Sequence, residues 1–199
     1  MAASVTLPGR FVYLRPLVPE DAAITFFWRN NPRARLLNKG APDVESQAAW
    51  IRARPADEHN WLICLKNGHP VGTVSLLGIN PANRHAEPGR FLIGDEEAVR
   101  GVPAAVEAML LLYQFAFDTL GLVRLYGTIA EGNDRMAKWQ KYLGMREEGR
   151  MRRHYFIDGR FRDAFVFGLL DNEFREQSLP KMRALIRLAN PAPEQETVQ

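Results

Sequence analysis

The chain has 199 residues, 46% of them hydrophobic and 25% charged, with a formal net charge of +3. That length fits one domain or one domain with an extension, and the apolar share supports a sizeable core. One cysteine, Cys64, excludes an intrachain disulfide framework and a multi-cysteine metal site, and fits a reducing cytoplasm.

Residues 1–9 show no basic region followed by an apolar segment, so no secretory signal is expected. Residues 10–17 (RFVYLRPL) read as a first strand ended by Pro16 and Pro19. Asp21 is placed to cap a helix over 22–29, which Asn30-Asn31-Pro32 stops. A loop carrying Arg33, Arg35, Lys39, Gly40 and Pro42 follows, and Asp43 opens a second helix that ends before Pro55. The two helices either wall one side of a pocket or simply pack. Residues 61–66 and 70–79 read as strands joined at Asn67-Gly68, a hairpin signal. Cys64 falls inside the first of them, as an inert core thiol.

Residues 85–94 form the next strand, with Pro88 and Gly89 predicting a bulge or a close backbone approach. The strand feeds a short loop, Arg100-Gly-Val-Pro-Ala-Ala105, and then a long apolar helix to about Leu120. Pro103 fits the first helical position, and Val102, the expected N-cap, offers no side-chain acceptor. The first helical N–H groups are thus left for an anion. Glu107, Gln114 and Asp118 fall on one narrow polar stripe of a helix otherwise buried against a sheet. They also argue against a membrane span. Gly121 caps the helix, and 122–130 reads as a strand, so 90–130 forms a parallel βαβ unit. A helix over 134–143 and two long strands, 145–157 and 160–170, joined by Asp158-Gly159, complete the pattern.

The order is β-αα-β-β-β-α-β-α-β-β. It predicts a mixed α/β (α+β) domain over 10–170 with a mostly antiparallel central sheet, one parallel pair in the middle and helices on both faces. Residues 1–9 form an N-terminal extension, 171–189 a helical extension interrupted at Pro180, and 190–199 a disordered tail. Ligands of open α/β sheets sit beyond the carboxyl ends of the strands at the switch point, here where 94–103 faces 130–133.

This order, with Arg100, Pro103 and Ala105 at the positions of an Arg/Gln-x-x-Gly-x-Gly/Ala motif, resembles the Gcn5-related N-acetyltransferase (GNAT) family over roughly 11–170. Pro103 stands where the family has glycine. Asn133 through Lys141-Tyr-Leu-Gly-Met145 is similar to the family's Asn…Lys-x-Gly-Phe segment. The stretch 158–169 is similar to the subgroup of ribosomal-protein N-terminal and amino-sugar N-acetyltransferases. The resemblance implies a GNAT-like acyl-CoA N-acyltransferase fold and acetyl-CoA as co-substrate, with no metal. It implies that N–H groups of Gly101, Val102, Pro103 (which lacks one), Ala104 and Ala105, beside Arg100, hold the pyrophosphate. It further implies that the carrier arm hydrogen-bonds between parted strands near Gly94, that a backbone N–H at Leu92 or Ile93 polarises the thioester, and that Asn133 contacts the arm or a water. The acceptor amine attacks directly, which agrees with the lack of a credible cysteine nucleophile.

An alkylammonium must lose a proton before it attacks, so a base is needed. Glu87, on the distorted strand, is the first candidate, against a solvated carboxylate. His85, two residues away, is the second, against turn packing. As a metal pair the two supply too few ligands. Many family members place a leaving-group acid at the position of Gln140, and Tyr142 lies on a different face of the helix. Tyr126 and Tyr155 remain as acids, each also a natural core residue. Arg146, Arg150, Arg152, Arg153, Arg160 and Arg162 crowd the last hairpin among four carboxylates. They form either a solvated mixed-charge surface or an attractor for an anionic acceptor. Nucleic acid is disfavoured, because no aromatic motif of recognised type is interleaved with them. The favoured acceptor is a small-molecule primary amine, such as an amino sugar or nucleotide-linked amino sugar. The alternatives are a protein N-terminal amine, or a non-catalytic acyl-CoA-binding module. No membrane partner is expected, and a homodimer stays open.

Overall fold

The computed structural model describes residues 5–34, 36 and 40–189. The N-terminal residues 1–4, Arg35 and Lys39 of the basic loop, and the expected tail at 190–199 lie outside the described residues. The strands are β1 (Leu7–Pro8), β2 (Val12–Pro16), β3 (His59–Leu65), β4 (Pro70–Asn80), β5 (His85–Ile93), β6 (Arg124–Ala130), β7 (Arg146–Ile157) and β8 (Arg160–Leu170). They form one sheet in the order β1-β2-β3-β4-β5-β6-β8-β7. Only β5 and β6 run parallel; every other neighbouring pair is antiparallel. The helices are α1 (Ala22–Arg29), α2 (Val44–Arg52), α3 (Ala104–Gln114), α4 (Asp134–Tyr142), the short α5 (Asp171–Glu173) and α6 (Leu179–Leu188).

Period-2 alternation sorts the strand residues into two cores. Val12, Leu14, Trp61, Ile63 and Val74 face α3 and the C-terminal helices, with Phe174, Met182 and Ile186 closing that side. Leu62 and Cys64 face the opposite way, against Trp28 of α1 and Ile51 of α2. The expected α/β architecture, with its parallel pair and helices on both faces, is therefore present. Asp43 caps α2, accepting the Ser46 N–H at 2.7 Å. The Asp158-Gly159 turn has both residues at positive φ, 53° and 74°, as a type I′ hairpin requires.

Four local expectations need correction. Asp21 does not cap α1 with its side chain; its carboxylate takes the Arg15 guanidinium in two bonds of 2.6 and 2.8 Å and the Val18 N–H at 2.9 Å. A forked charge-assisted pair outcompetes a single cap bond. Pro103 is the N-cap of α3 rather than its first residue, because its ψ of 38° lies outside the helical range. Before ending, α3 passes into a π-helical turn, Phe115–Thr119. Near the C-terminus the irregularity is another π-helical turn, Phe174–Ser178, while Pro180 sits without cost in the first turn of α6.

Glu107 departs furthest from its expected place on a polar stripe. It is 4% exposed. Its carboxylate accepts the backbone N–H groups of Arg10, Phe11 and Val12 at 2.7, 2.7 and 2.8 Å. A side chain on the central helix thus supplies the acceptors that the turn before β2 lacks, and ties the first long strand to the core. Removing the carboxylate leaves three N–H groups without partners. Glu107→Ala should therefore lower unfolding stability by about 3 kcal/mol or more, read from the urea midpoint; a loss below about 1 kcal/mol would contradict this role.

Candidate functional site

The site begins with a defect in β5. Ser75 pairs with Gly89 and Thr73 with Leu92, so one residue of β4 faces two of β5. The extra residue creates a bulge. Arg90 adopts φ +50° there, and its carbonyl accepts the Thr73 hydroxyl at 2.9 Å. The bulge foreseen from Pro88 and Gly89 is thus centred one residue further on. It turns the Arg90 side chain to Glu58 (2.6 and 3.3 Å) and to Asn60 (2.8 Å), and stacks its guanidinium on the Trp50 ring, 4.8 Å from the centroid.

Parallel pairing between β5 and β6 is short. His85 matches Arg124, Ala86 matches Leu125, and beyond that the strands part. The gap holds a cavity of about 190 Å3 lined by Glu87 to Phe91 on one side and Gly127 to Ala130 on the other. Its floor includes Met136 and Gln140 of α4, and Tyr155 of β7. Gly94 N–H donates to the Val71 carbonyl at 2.8 Å. Because successive N–H groups point to opposite strand edges, Leu92 points its N–H at β4 and Ile93 points its own into the gap. Of the two expected polarising donors, Ile93 has the right orientation. Gly94 has a packing role instead: a Cβ there would run into the Trp28 ring.

The three candidate acid–base residues separate. Glu87 lines the cavity, and its carboxylate lies against the Gly127 backbone. Burial pushes its pKa above the ordinary carboxyl value, with Arg90 pulling the other way. His85 and Tyr126 instead pack on each other edge to face, ring centroids 5.2 Å apart, and neither lines the cavity. The tyrosine that does reach the cavity is Tyr155, whose hydroxyl is 2.6 Å from Thr128 Oγ1. Gln140 lines it too, accepting from the buried Tyr113 hydroxyl at 3.3 Å.

At the mouth of the gap lies the loop before α3. Asp95 anchors its start, accepting the Ala98 N–H at 3.0 Å and facing His69 Nε2 at 2.8 Å. Val102 N–H is consumed by the Val99 carbonyl at 3.0 Å, and Pro103 has none. Both are walls rather than donors, which narrows the expected set to Gly101, Ala104 and Ala105. No side chain caps α3, and a Cβ on Gly101 would meet nothing within 4 Å, so the approach is open. Arg100 is exposed and pairs with Glu97 at 2.5 Å. Asn133 lines the cavity, but its Oδ1 also caps α4 through Met136 N–H at 3.4 Å. These features fit a coenzyme A thioester: free helix-start donors for a pyrophosphate, and a parted strand edge with an inward N–H for an acyl arm.

A second cavity of about 430 Å3 adjoins the first and shares Arg29 and Arg90 with it. It lies between α1, α2 and the sheet, so the two early helices do wall a pocket. Three of the six hairpin arginines have carboxylate partners: Arg150 with Asp163 (2.6 Å) and Glu131 (3.3 Å), Arg146 with Glu173 (3.0 Å), Arg162 with Asp158 (3.4 Å). Among the described residues no cluster of three or more potential ligands could hold a metal, and no helix is long and apolar enough to cross a membrane. Sequence reasoning missed Arg29, the last residue of α1, since nothing local distinguishes it from a helix-end cation. Arg90 was signalled only by the preceding Pro-Gly.

Residues 12–146 match the family described as "Acetyltransferase (GNAT) domain". Spermidine N(1)-acetyltransferase of Escherichia coli (strain K12) is 28% identical over 108 residues, 54% of this chain and 56% of that protein. A Bacillus subtilis (strain 168) protein, named as a candidate ribosomal N-acetyltransferase, is 30% identical over 110 residues, 55% of this chain and 58% of its own length. Both matches span little more than half of those relatives. The crystal structure of a GCN5-related N-acetyltransferase from Brucella melitensis superposes with TM-score 0.79 at 26% identity, covering 96% of this chain and 87% of the other.

The open approach at Gly101 is testable. Its φ of +79° strains any L residue, so Gly101→Ala serves as the control for strain and Gly101→Asp adds charge at the cradle. Calorimetry should show Gly101→Asp binding CoA roughly tenfold or more weakly than Gly101→Ala, as expected for a carboxylate facing a phosphate. Equal affinities would move the pyrophosphate elsewhere.

Proposed function

The chain belongs to the GNAT acetyltransferase family, and on that footing we propose that it transfers an acetyl group from acetyl-CoA to a primary amine by direct attack. The observation that carries this reading is the gap between β5 and β6, with the Ile93 N–H turned into it and uncapped helix donors at its mouth. When bound, acetyl-CoA supplies the activated acyl group as a thioester. Gly101, Ala104 and Ala105 hold its pyrophosphate through backbone N–H groups. Ile93 N–H lies where negative charge develops on the carbonyl oxygen. Glu87, raised by burial, accepts the proton that the acceptor ammonium must lose. Of the two candidate acids, Tyr126 and Tyr155, it is Tyr155, hydrogen-bonded to Thr128, that returns a proton to the departing thiolate in this reading.

The acceptor is a small-molecule amine in this reading, with amino sugars and nucleotide-linked amino sugars as candidate classes; the 158–169 stretch is similar to a subgroup that includes both ribosomal-protein and amino-sugar acetyltransferases. The spermidine relative supports a small amine, and the ribosomal relative keeps a protein N-terminus as the second reading. The second cavity, concave and walled by α1 and α2, favours the first of these. A cytoplasmic location is consistent with both.

Thiol release from acetyl-CoA across amines, amino sugars and peptides tests the activity; silence with all of them, despite CoA binding, would favour a binding module. Glu87 gives a sharper signature. A base with a raised pKa is lost as pH falls through that value, so kcat/KM should fall on the acid side. Glu87→Gln should depress the rate most between the pH at which Glu87 ionises and the pH at which the amine deprotonates unaided, and converge on the parent outside that window. An unchanged pH–rate profile would remove Glu87 as the base. Tyr155→Phe should lower kcat more than Tyr126→Phe; the reverse order would restore Tyr126.

A further inference from the structure

We propose that Arg90 holds a neutral oxygen of the acceptor, a hydroxyl or a carbonyl near the amine, on the edge of its guanidinium that the protein leaves unspent; this rests on the acetyltransferase reading above. A guanidinium carries five N–H groups in one fixed plane. In Arg90 the two Nη1 donors are used, by Glu58 Oε2 at 2.6 Å and by Asn60 Oδ1 at 2.8 Å. Glu58 Oε1 takes Nη2 at 3.3 Å, so this carboxylate grips the outer end of the fork. The Nε–H and the second Nη2–H remain, side by side on one edge. Neither has a partner among the described residues, and Nε is not sealed off inside the protein.

The rest of Arg90 is fixed. Its backbone turns at the bulge with φ +50°, and its carbonyl accepts the Thr73 hydroxyl at 2.9 Å. One face of the guanidinium lies on the Trp50 ring, 4.8 Å from the centroid. Asn60 is held in turn: it accepts the Ser75 hydroxyl at 2.6 Å, and its Nδ2 donates to Glu58 Oε2 at 3.2 Å. A long side chain normally loses rotamer freedom when it takes a ligand, but this one has lost it on folding. The open edge is therefore a preorganised pair of donors.

Charge decides which oxygen suits it. Burial alone would raise Glu58, but its hydrogen bonds to Arg90 and Asn60 outweigh that and hold its carboxyl below the ordinary value. Glu58 thus stays ionised and offsets the charge of Arg90. A second anion would share a cation already paired, whereas a neutral oxygen needs only the directed N–H groups. Position decides whose oxygen it is. Arg90 lines both cavities, and Glu87, the base, lines the first from the same strand. An acceptor that fills the second cavity and presents its amine in the first must pass Arg90. A polyamine chain offers no oxygen there, while amino sugars carry hydroxyls beside the amine and aminoacyl amides carry a carbonyl. Arg90 is therefore a specificity-determining residue for amines with a neighbouring oxygen.

Calorimetric titration into the CoA-saturated protein tests this with matched probes. Glucosamine is compared with cyclohexylamine, and phenylalaninamide with phenethylamine; phenylalanine, with a carboxylate in place of the amide, supplies the anionic case. The oxygen-bearing member of at least one pair should bind about tenfold tighter than its hydrocarbon counterpart, as a hydrogen bond from a charged donor gives. The pair that responds tells hydroxyl from carbonyl, and phenylalanine should gain nothing over phenylalaninamide. In Arg90→Lys, whose ammonium can stay with Glu58 but has no second edge, the preference should shrink to about twofold or less through weaker binding of the oxygen-bearing member. Turnover of that member should suffer in KM more than in kcat. Melting curves show whether the variant is folded, and the preference of the parent protein is read without it. Equal affinity within both pairs, no binding of any probe, tighter binding of phenylalanine than of its amide, a preference that survives Arg90→Lys, or an equal loss for both members of a pair would each overturn the proposal. Failure of the acetyltransferase reading is distinct: CoA itself would not bind, or no amine would release its thiol.

Discussion

Two parallel strands that pair for two residues and then separate set the terms for this protein. A sheet normally satisfies its backbone groups strand to strand, and interior edges left open are costly unless something fills them. Here β5 and β6 leave each other after Ala86 and Leu125. From that point β5 follows β4 and β6 follows β8, each through its own antiparallel ladder. The gap is thus held open from both sides by well-paired strands. A ligand able to act as a third strand, with amides of its own, suits such an edge.

The bulge at Arg90 links this gap to the second cavity. By inserting one residue, β5 changes which face its later side chains address, and Arg90, which alternation alone would set on the face opposite Glu87, turns to Glu58, Asn60 and Trp50. The backbone defect therefore places a fixed guanidinium between the arm cavity and the cavity under α1 and α2. Arg29 completes that partition from the end of α1. Charge then differs across the site: Glu87 lines the first cavity alone, and Arg29 and Arg90 line both.

Much of the fold was legible because its signals are local. Asn67-Gly68, Asp158-Gly159, Asp43 and Gly121 each specify a turn or cap within a few residues, and strand alternation separates the two cores. Pro88-Gly89 announced the bulge. The parts that were not legible depend on contacts between distant residues. Nothing near Glu107 says that it will hold Arg10 to Val12, almost a hundred residues earlier. Asp21 has the form of a cap but lies within reach of Arg15. At the site, the strand–loop–helix pattern pointed to Glu87, to Ile93 and to the loop 101–105 as candidates. Sequence alone could not tell Tyr155 from Tyr126, because that distinction turns on which side chain faces the cavity and which packs on His85. Nor could it expose Val102, whose N–H is spent within its own turn.

The central claim is that the parted edge of β5 and the start of α3 together receive acetyl-CoA. Amide hydrogen exchange, resolved by residue with and without the thioester, addresses it most directly. The account predicts slowed exchange at Ile93 and at Gly101, Ala104 and Ala105 on addition of acetyl-CoA, with the already bonded Gly94 and Val102 amides little changed. Unaltered exchange at Ile93 and the loop, or protection confined to another face of the sheet, would contradict it.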